Sequence, residues 1–190
     1  MFTVQRARLH DIGMYGKHLK ELSDVDKLNR FGYNASNFTI DQLILNIVYH
    51  PRDHEMWVAL DDDTETDCGW GHMAKNEDGT WELAVSVDSD FQRKGVGSKL
   101  IAEMLAWAKF HKISEVYMHC IEDNRVIQHL ATKHKLKTKE RGGGERTAAI
   151  EVPMPNVMEA YEQMWKEHLE ITEQLGNLRA KLFKLWTQQK

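Results

Sequence analysis

Apolar residues along the chain either alternate with polar ones or recur every three to four positions, and the changes of period divide it into short elements. Phe2–Ala7 reads as a strand and Leu9–Leu22 as a helix. Thr39–Tyr49 reads as a second helix, with Asp41 in its first turn and Pro51 behind its end. Glu55–Leu60 reads as a strand, the run DDDTETD at 61–67 as a polar hairpin loop, and Cys68–Ala74 as the returning strand. Asn76–Gly79 carries the Asp-Gly hairpin signal, and Trp81–Val87 follows as a strand. Across Ser98–His111, Leu100, Ile101, Met104, Leu105, Trp107 and Ala108 fall on one helical face. Glu115–His119 then reads as a strand, Val126–His134 as a short helix, and Arg141–Glu145 as a turn between two strands, the second being Arg146–Val152. Consecutive hairpins followed by a βαβα unit predict an α/β (α+β) fold: a mixed, mostly antiparallel central sheet flanked by helices on both faces.

The pattern changes at the end of the chain. Residues 154–190 form a segment apart from the domain at 1–153. Val157, Tyr161, Met164, His168, Ile171, Leu175, Leu178, Leu182 and Leu185 follow 4-3 spacing, the seam of a coiled coil. Asn156 with Glu159 three residues on marks the helix start. The first half is acidic (Glu159, Glu162, Glu167, Glu170, Glu173) and the second basic (Arg179, Lys181, Lys184, Lys190). That order suits the helix macrodipole and would match acid to base in an antiparallel pair. We expect a homo-oligomer built on this helix; the alternative is a helix folded back over its own domain.

Composition narrows the function classes. The chain has 190 residues, enough for a single well-buried domain, and a net charge of −4, which gives no electrostatic reason to expect nucleic acid or an anionic membrane as partner. The N-terminal MFTVQRARLHDIG lacks the apolar core of a signal peptide, and no apolar run approaches the roughly 20 residues of a membrane span. Cys68 and Cys120 are far apart in different apolar stretches and read as buried reduced thiols. A cytoplasmic location is the expectation. The ten histidines include no zinc-ligand spacing, so no metal is expected.

The chemistry is concentrated between the strand ending at Val87 and the helix that follows. Gln92-Arg93-Lys94-Gly95-Val96-Gly97 opens a helix directly after a strand. The first turn of a helix has N–H groups without internal partners and carries the positive end of the dipole, and glycines there let an anion reach the backbone. The spacing is neither a P-loop, whose G-x-x-x-x-G-K-[ST] is absent, nor a dinucleotide fingerprint, whose third glycine is replaced by Leu100.

Q-x-x-G-x-G, preceded by Val87-Asp88-Ser89-Asp90-Phe91, resembles the acetyl-CoA-binding motif [RQ]-x-x-G-x-[GA] of the GNAT superfamily of N-acetyltransferases. The resemblance covers roughly residues 1–153: Leu22-Ser23…Asp26…Arg30-Phe31, His54–Ala59, Cys68–Gly71, Trp81–Val87 and Glu122–Ala131 come in the expected order. Together they look most like the acetyltransferase domain of bacterial protein-lysine acetyltransferases. The resemblance implies the GNAT fold, with acetyl-CoA as cofactor and a primary amine, a protein lysine or a small molecule, as acceptor. The fourth and fifth strands would splay, the pantetheine arm pairing with the backbone of Val85 and Val87. The pyrophosphate would rest on the N–H groups of Gln92, Arg93, Lys94, Gly95, Val96, Gly97 and Ser98, with Arg93 and Lys94 adding positive charge. Asn124 matches a cofactor-contacting asparagine and is equally a plain N-cap.

The acceptor's ammonium must lose a proton before it can attack, which calls for a base. Glu82, the acid within the apolar strand, matches the glutamate of the subgroup's A-E-F-A-V and is the catalytic candidate; a solvated strand-start residue is the alternative. A backbone N–H in the Ala84–Val87 stretch could stabilise the oxyanion. Ala131 stands where many members have a general-acid tyrosine, and Lys135-Leu136 replaces the usual glycine-phenylalanine. The general acid is therefore unassigned, with Tyr117 and His119 as substitutes more in keeping with structural or surface roles. Two other functions compete with the enzyme: a non-catalytic CoA-binding or sensor protein, and an assembly protein that works through its helical tail.

Overall fold

The computed structural model describes residues 1–119, 138–141 and 147–188. Twelve elements follow in order: β1 (Phe2–Arg6), α1 (Ile12–Glu21), α2 (Asp24–Phe31), α3 (Asn37–Tyr49), β2 (His54–Asp61), β3 (Asp67–Lys75), β4 (Trp81–Val87), α4 (Val96–Phe110), β5 (Glu115–His119), β6 (Thr138–Arg141), β7 (Thr147–Glu151) and α5 (Val157–Gln188). The strands form one sheet in the order β1-β2-β3-β4-β5-β7-β6, antiparallel at every pairing except β4 with β5. The expected mixed sheet is thus observed, and β4 and β5 have the boundaries read from the sequence. The expected helix at 126–134 and the Gly142–Gly144 turn lie outside the described residues.

The pleat sorts β4 cleanly. Leu83, Val85 and Val87 point to the α4 face, where Trp57, Met73, Leu100, Met104 and Val116 are buried with them. The other face meets α1 and α3 through Tyr15, Leu19, Ile40, Met56, Val58 and Trp70. Each large apolar side chain fully buried in these layers contributes about 1.5–3 kcal/mol. α4 lies close on β3 because β3 has glycines beneath it. A Cβ on Gly69 would meet the Ser86 carbonyl at 3.1 Å and Val96 at 3.1 Å, and one on Gly71 would come within 2.5 Å of the Met104 sulfur.

Three expectations need correction. α4 begins at Val96, not Ser98, because Gly95 takes the N-cap position in a left-handed conformation (φ 91°). Residues 9–11 form a separate 3-10 turn, so α1 starts only at Ile12. The sequence reading had no helix at α2, an eight-residue helix with few apolar positions. It is fixed by its ends: the Ser23 hydroxyl accepts from the Asp26 N–H, and Gly32 closes it at φ 78°.

Candidate active site

The parallel ladder between β4 and β5 holds only two register pairs among the described residues, Trp81 with Val116 and Glu82 with Tyr117. Beyond Glu82, the edge of β4 that faces β5, through Val85 and Val87, has no ladder partner among the described residues. Glu82 sits at the closed end of this opening. It is half-buried, on the face of β4 that also carries Ala84 and Ser86, with Ala74 of β3 and Tyr117 of β5 beside it in register. Tyr117 is buried, and its hydroxyl donates to a Glu115 carboxylate oxygen at 2.6 Å.

At the other end of β4 the chain turns through a 3-10 segment at Ser89–Phe91 and enters the glycine stretch. Arg93 (φ 62°) and Gly95 (φ 91°) are both left-handed. Such a turn aims successive N–H groups into one concavity, the geometry of a backbone anion nest. The nest runs directly into the first turn of α4, where Val96, Gly97 and Ser98 supply the unpaired helical N–H groups and Gly95 offers no capping side chain. Val96 contributes backbone only, since its side chain is buried in the core. The Gln92 amide donates to Asp26 Oδ1 at 2.9 Å and to the Val87 carbonyl at 3.2 Å, tying the nest to α2 and to the end of β4. The Lys94 ammonium lies 5.1 Å over the Phe91 ring, which keeps its charge beside the nest. The predicted residues Val85, Val87 and Gln92–Ser98 form one continuous strip with Glu82 at its far end, but the Gln92 N–H, expected as an anion donor, is already given to the Asp88 carbonyl at 3.1 Å, so the available N–H groups begin at Arg93. About 17 Å of extended strand separates Glu82 from Val87. Asn124 and Ala131 lie outside the described residues. His119 ends β5.

Two polar clusters on the Glu82 face escaped the sequence reading. His18 of α1 is buried between Ser86 and Asp88: its Nε2 is 2.8 Å from Ser86 Oγ and its Nδ1 is 3.0 Å from Asp88 Oδ1. This has the hydroxyl–imidazole–carboxylate order of a nucleophilic triad. Here the serine is covered by α1, and the chain of bonds pins that helix to β4 just before the nest. Nothing in the sequence signalled it, since Ser86 falls on the polar face of WELAVSV with Glu82 and leaves the apolar alternation of Trp81, Leu83, Val85 and Val87 unbroken.

The second cluster centres on His72. An Arg30 Nη2–H donates to the Tyr15 hydroxyl at 3.1 Å and lies 3.5 Å from His72 Nδ1. His72 Nε2 is 3.0 Å from His54 Nδ1, and His54 Nε2 is 3.2 Å from the Asn46 amide. Burial, then the Arg30 guanidinium, then His54 hold the His72 pKa well below the usual histidine value. Burial also lowers that of His54, against the raising influence of Asp53. Both rings are therefore neutral at pH 7. Cys68 is buried, and burial followed by the charges of Asp88, Asp61 and Asp67 pushes its thiol up to about 11. Cys68 is the free buried thiol expected there, and Cys120 lies outside the described residues. Among the described residues no group of histidine, cysteine and carboxylate side chains could hold a metal ion, and no helix is long and apolar enough to cross a membrane.

The sheet is thus joined by one short parallel ladder, and a left-handed turn leads from β4 into the start of α4. Comparison with known proteins gives the family. Residues 22–135 match the family model described as acetyltransferase (GNAT) family, and the chain belongs to that family. The fold is shared with the GNAT domain of S. lividans PAT (TM-score 0.62, 16% identity, covering 78% of this chain and 88% of that one). It is shared with the PaiA N-acetyltransferase of Thermoplasma acidophilum, solved with coenzyme A (TM-score 0.58, 15% identity, 80% and 99% coverage). It is shared also with the spermidine N-acetyltransferase of Vibrio cholerae, solved with CoA and spermine (TM-score 0.59, 14% identity, 78% and 93% coverage). No curated protein sequence matches the chain.

Proposed function

We propose that the protein transfers an acetyl group from acetyl-CoA to a primary amine by direct attack. The observation that carries this reading is the continuous strip from Glu82, along the open edge of β4, to the nest at Gln92–Ser98. Acetyl-CoA, when bound, supplies an acetyl group activated as a thioester. The residues fit it. The nest and the α4 terminus offer N–H donors to a pyrophosphate, with Arg93 and Lys94 adding charge. Val85 and Val87 have no β5 ladder partner among the described residues, and this edge of β4, apart from the Val87 carbonyl bonded by Gln92, offers backbone groups to the amide-bearing arm.

Glu82 is the base. Its half-buried carboxylate accepts a proton from the acceptor's ammonium, directly or through a water, and so leaves the amine lone pair available. Tyr117, in register with Glu82, is the nearest hydroxyl on β5 and is held in place by Glu115. The acceptor is a protein lysine or a small amine. It approaches from the face of β4 that carries Glu82. The motif resemblance of Trp81–Val87 and Glu122–Ala131 to protein-lysine acetyltransferase domains supports the lysine reading, and the fold shared with a spermidine N-acetyltransferase supports the small amine.

Thermal unfolding with acetyl-CoA is the first test. At about 100 times its dissociation constant the cofactor should stabilise the fold by roughly 2.7 kcal/mol. A screen of amine acceptors follows, with Glu82→Gln as control. The variant should keep the thermal shift and lose about 10²–10⁴-fold in turnover. A shift without turnover on any acceptor would favour a CoA-binding sensor. No shift at all would overturn the cofactor assignment.

A further inference from the structure

We infer that α5 is a dimerisation rod, and that two copies of the chain pair antiparallel through the face of α5 turned away from its own domain. This helix has two seams of different chemistry. The inner one is polar and already used. Lys109 of α4 bonds Glu159 at 2.6 Å, Lys166 pairs with Glu103, and partial burial against the domain raises the pKa of Glu170. Ala106, Lys109 and Phe110 face Glu159, Gln163 and Lys166 across a cleft. The helix start is locked as well, since Asn156 and Glu159 exchange side-chain-to-backbone bonds of 2.8 and 2.9 Å. The fold-back expected as the alternative to oligomerisation is therefore present, and it uses the wrong face to cover the apolar residues.

The apolar residues lie half a helical turn away. Tyr161, Met164, Ile171, Leu175 and Leu178 are 57%, 49%, 55%, 58% and 54% exposed. Trp165 at 53% and Leu169 at 54% widen the stripe on one side. A continuous apolar stripe of this length marks an interaction surface. Its 4-3 spacing is that of a two-stranded seam, which selects another helix of the same kind as its occupant.

Charge sets the direction. In the heptad register fixed by the stripe, Glu167 and Lys181 occupy equivalent flanking positions, one before His168 and one before Leu182. An antiparallel pair brings that flank of one copy against the same flank of the other, so Glu167 faces Lys181 of the second copy, twice by symmetry. Ile171 then meets Leu175 at the centre, and residues 161–185 overlap along about 36 Å of helix. A parallel pair would instead set Glu167 against Thr172 and lay the acidic half of one helix on the acidic half of the other. Each domain grips the N-terminal half of its own α5, through Glu159, Lys166 and Glu170. Antiparallel pairing therefore places the two domains at opposite ends of the rod, where they do not collide.

Sedimentation of the full-length chain tests this, with Ile171→Glu/Leu175→Glu, Glu167→Lys, Lys181→Glu and the Glu167→Lys/Lys181→Glu exchange. Wild type should sediment at twice the 22.1 kDa chain mass. The seam variant should fall to one chain mass with its far-UV dichroism and domain unfolding transition unchanged, since both residues are exposed. Each single charge reversal should weaken the dimer, and the exchange should restore it. A wild-type chain that stays monomeric at micromolar concentration overturns the proposal, as does a dimer that survives the seam variant. A dimer lost in the seam variant but indifferent to the charge exchange overturns the antiparallel register.

Discussion

Ser86 is a hydroxyl in the interior of an apolar strand, and its partner is a histidine 68 residues away. Replacing His18 by leucine keeps the volume and removes the bond, leaving a buried hydroxyl unsatisfied. The expected loss is about 1–3 kcal/mol, read as a lower urea midpoint, while His18→Gln should lose less. His72 and His54 make the fold sensitive to acid. Their folded pKa values are lowered, so below about pH 6.5 the unfolded chain takes up protons that the folded one refuses. Their contribution is intact above that pH and declines as pH falls from there toward the folded values. Urea unfolding measured across this range should show stability dropping with pH, and His72→Gln should make the drop shallower. Neither cluster was legible in the sequence, because each joins residues from separate elements. His18, Ser86 and Asp88 are ordinary residues until α1 lies across β4.

Among the elements, the turn from β4 into α4 is the one whose function could be read directly from residue types. Two glycines at a strand-to-helix junction predict a tight left-handed corner ahead of the helix start, and the structure has that turn at Arg93–Gly95. The sequence did not show that Arg93 also adopts a left-handed φ, or that α4 would begin two residues early. Boundaries set by one residue's backbone angle leave no trace in hydrophobic periodicity. α2 was missed for a related reason: its definition comes from Ser23 and Gly32 at its ends, not from an apolar stripe. Gly95→Ala isolates the backbone term, because a Cβ there meets nothing within 4 Å. The left-handed conformation alone should cost about 1–2 kcal/mol in unfolding experiments. Calorimetric titration should show weaker acetyl-CoA binding in the same variant, through a distorted nest.

At the scale of the molecule, the seven strands behave as two sheets joined by a short parallel seam. β1-β2-β3-β4 and β5-β7-β6 are each laced by antiparallel ladders, while Trp81–Val116 and Glu82–Tyr117 bridge them. That seam is the shortest ladder in the sheet among the described residues, and the two sides are held together across it by one shared core, in which Val116, Met118 and Ile150 are buried with Leu83 and Met104. A molecule seated along the open edge of β4 would act as a removable eighth strand, completing the lattice only while it is bound. Hydrogen exchange should record this as a gain in amide protection spread across β5 and β7 on addition of acetyl-CoA, well beyond the residues that touch it. If protection rises only at Gln92–Ser98, the two halves are already rigidly coupled without it. If the gain spreads, occupancy of the site sets the stiffness of half the domain.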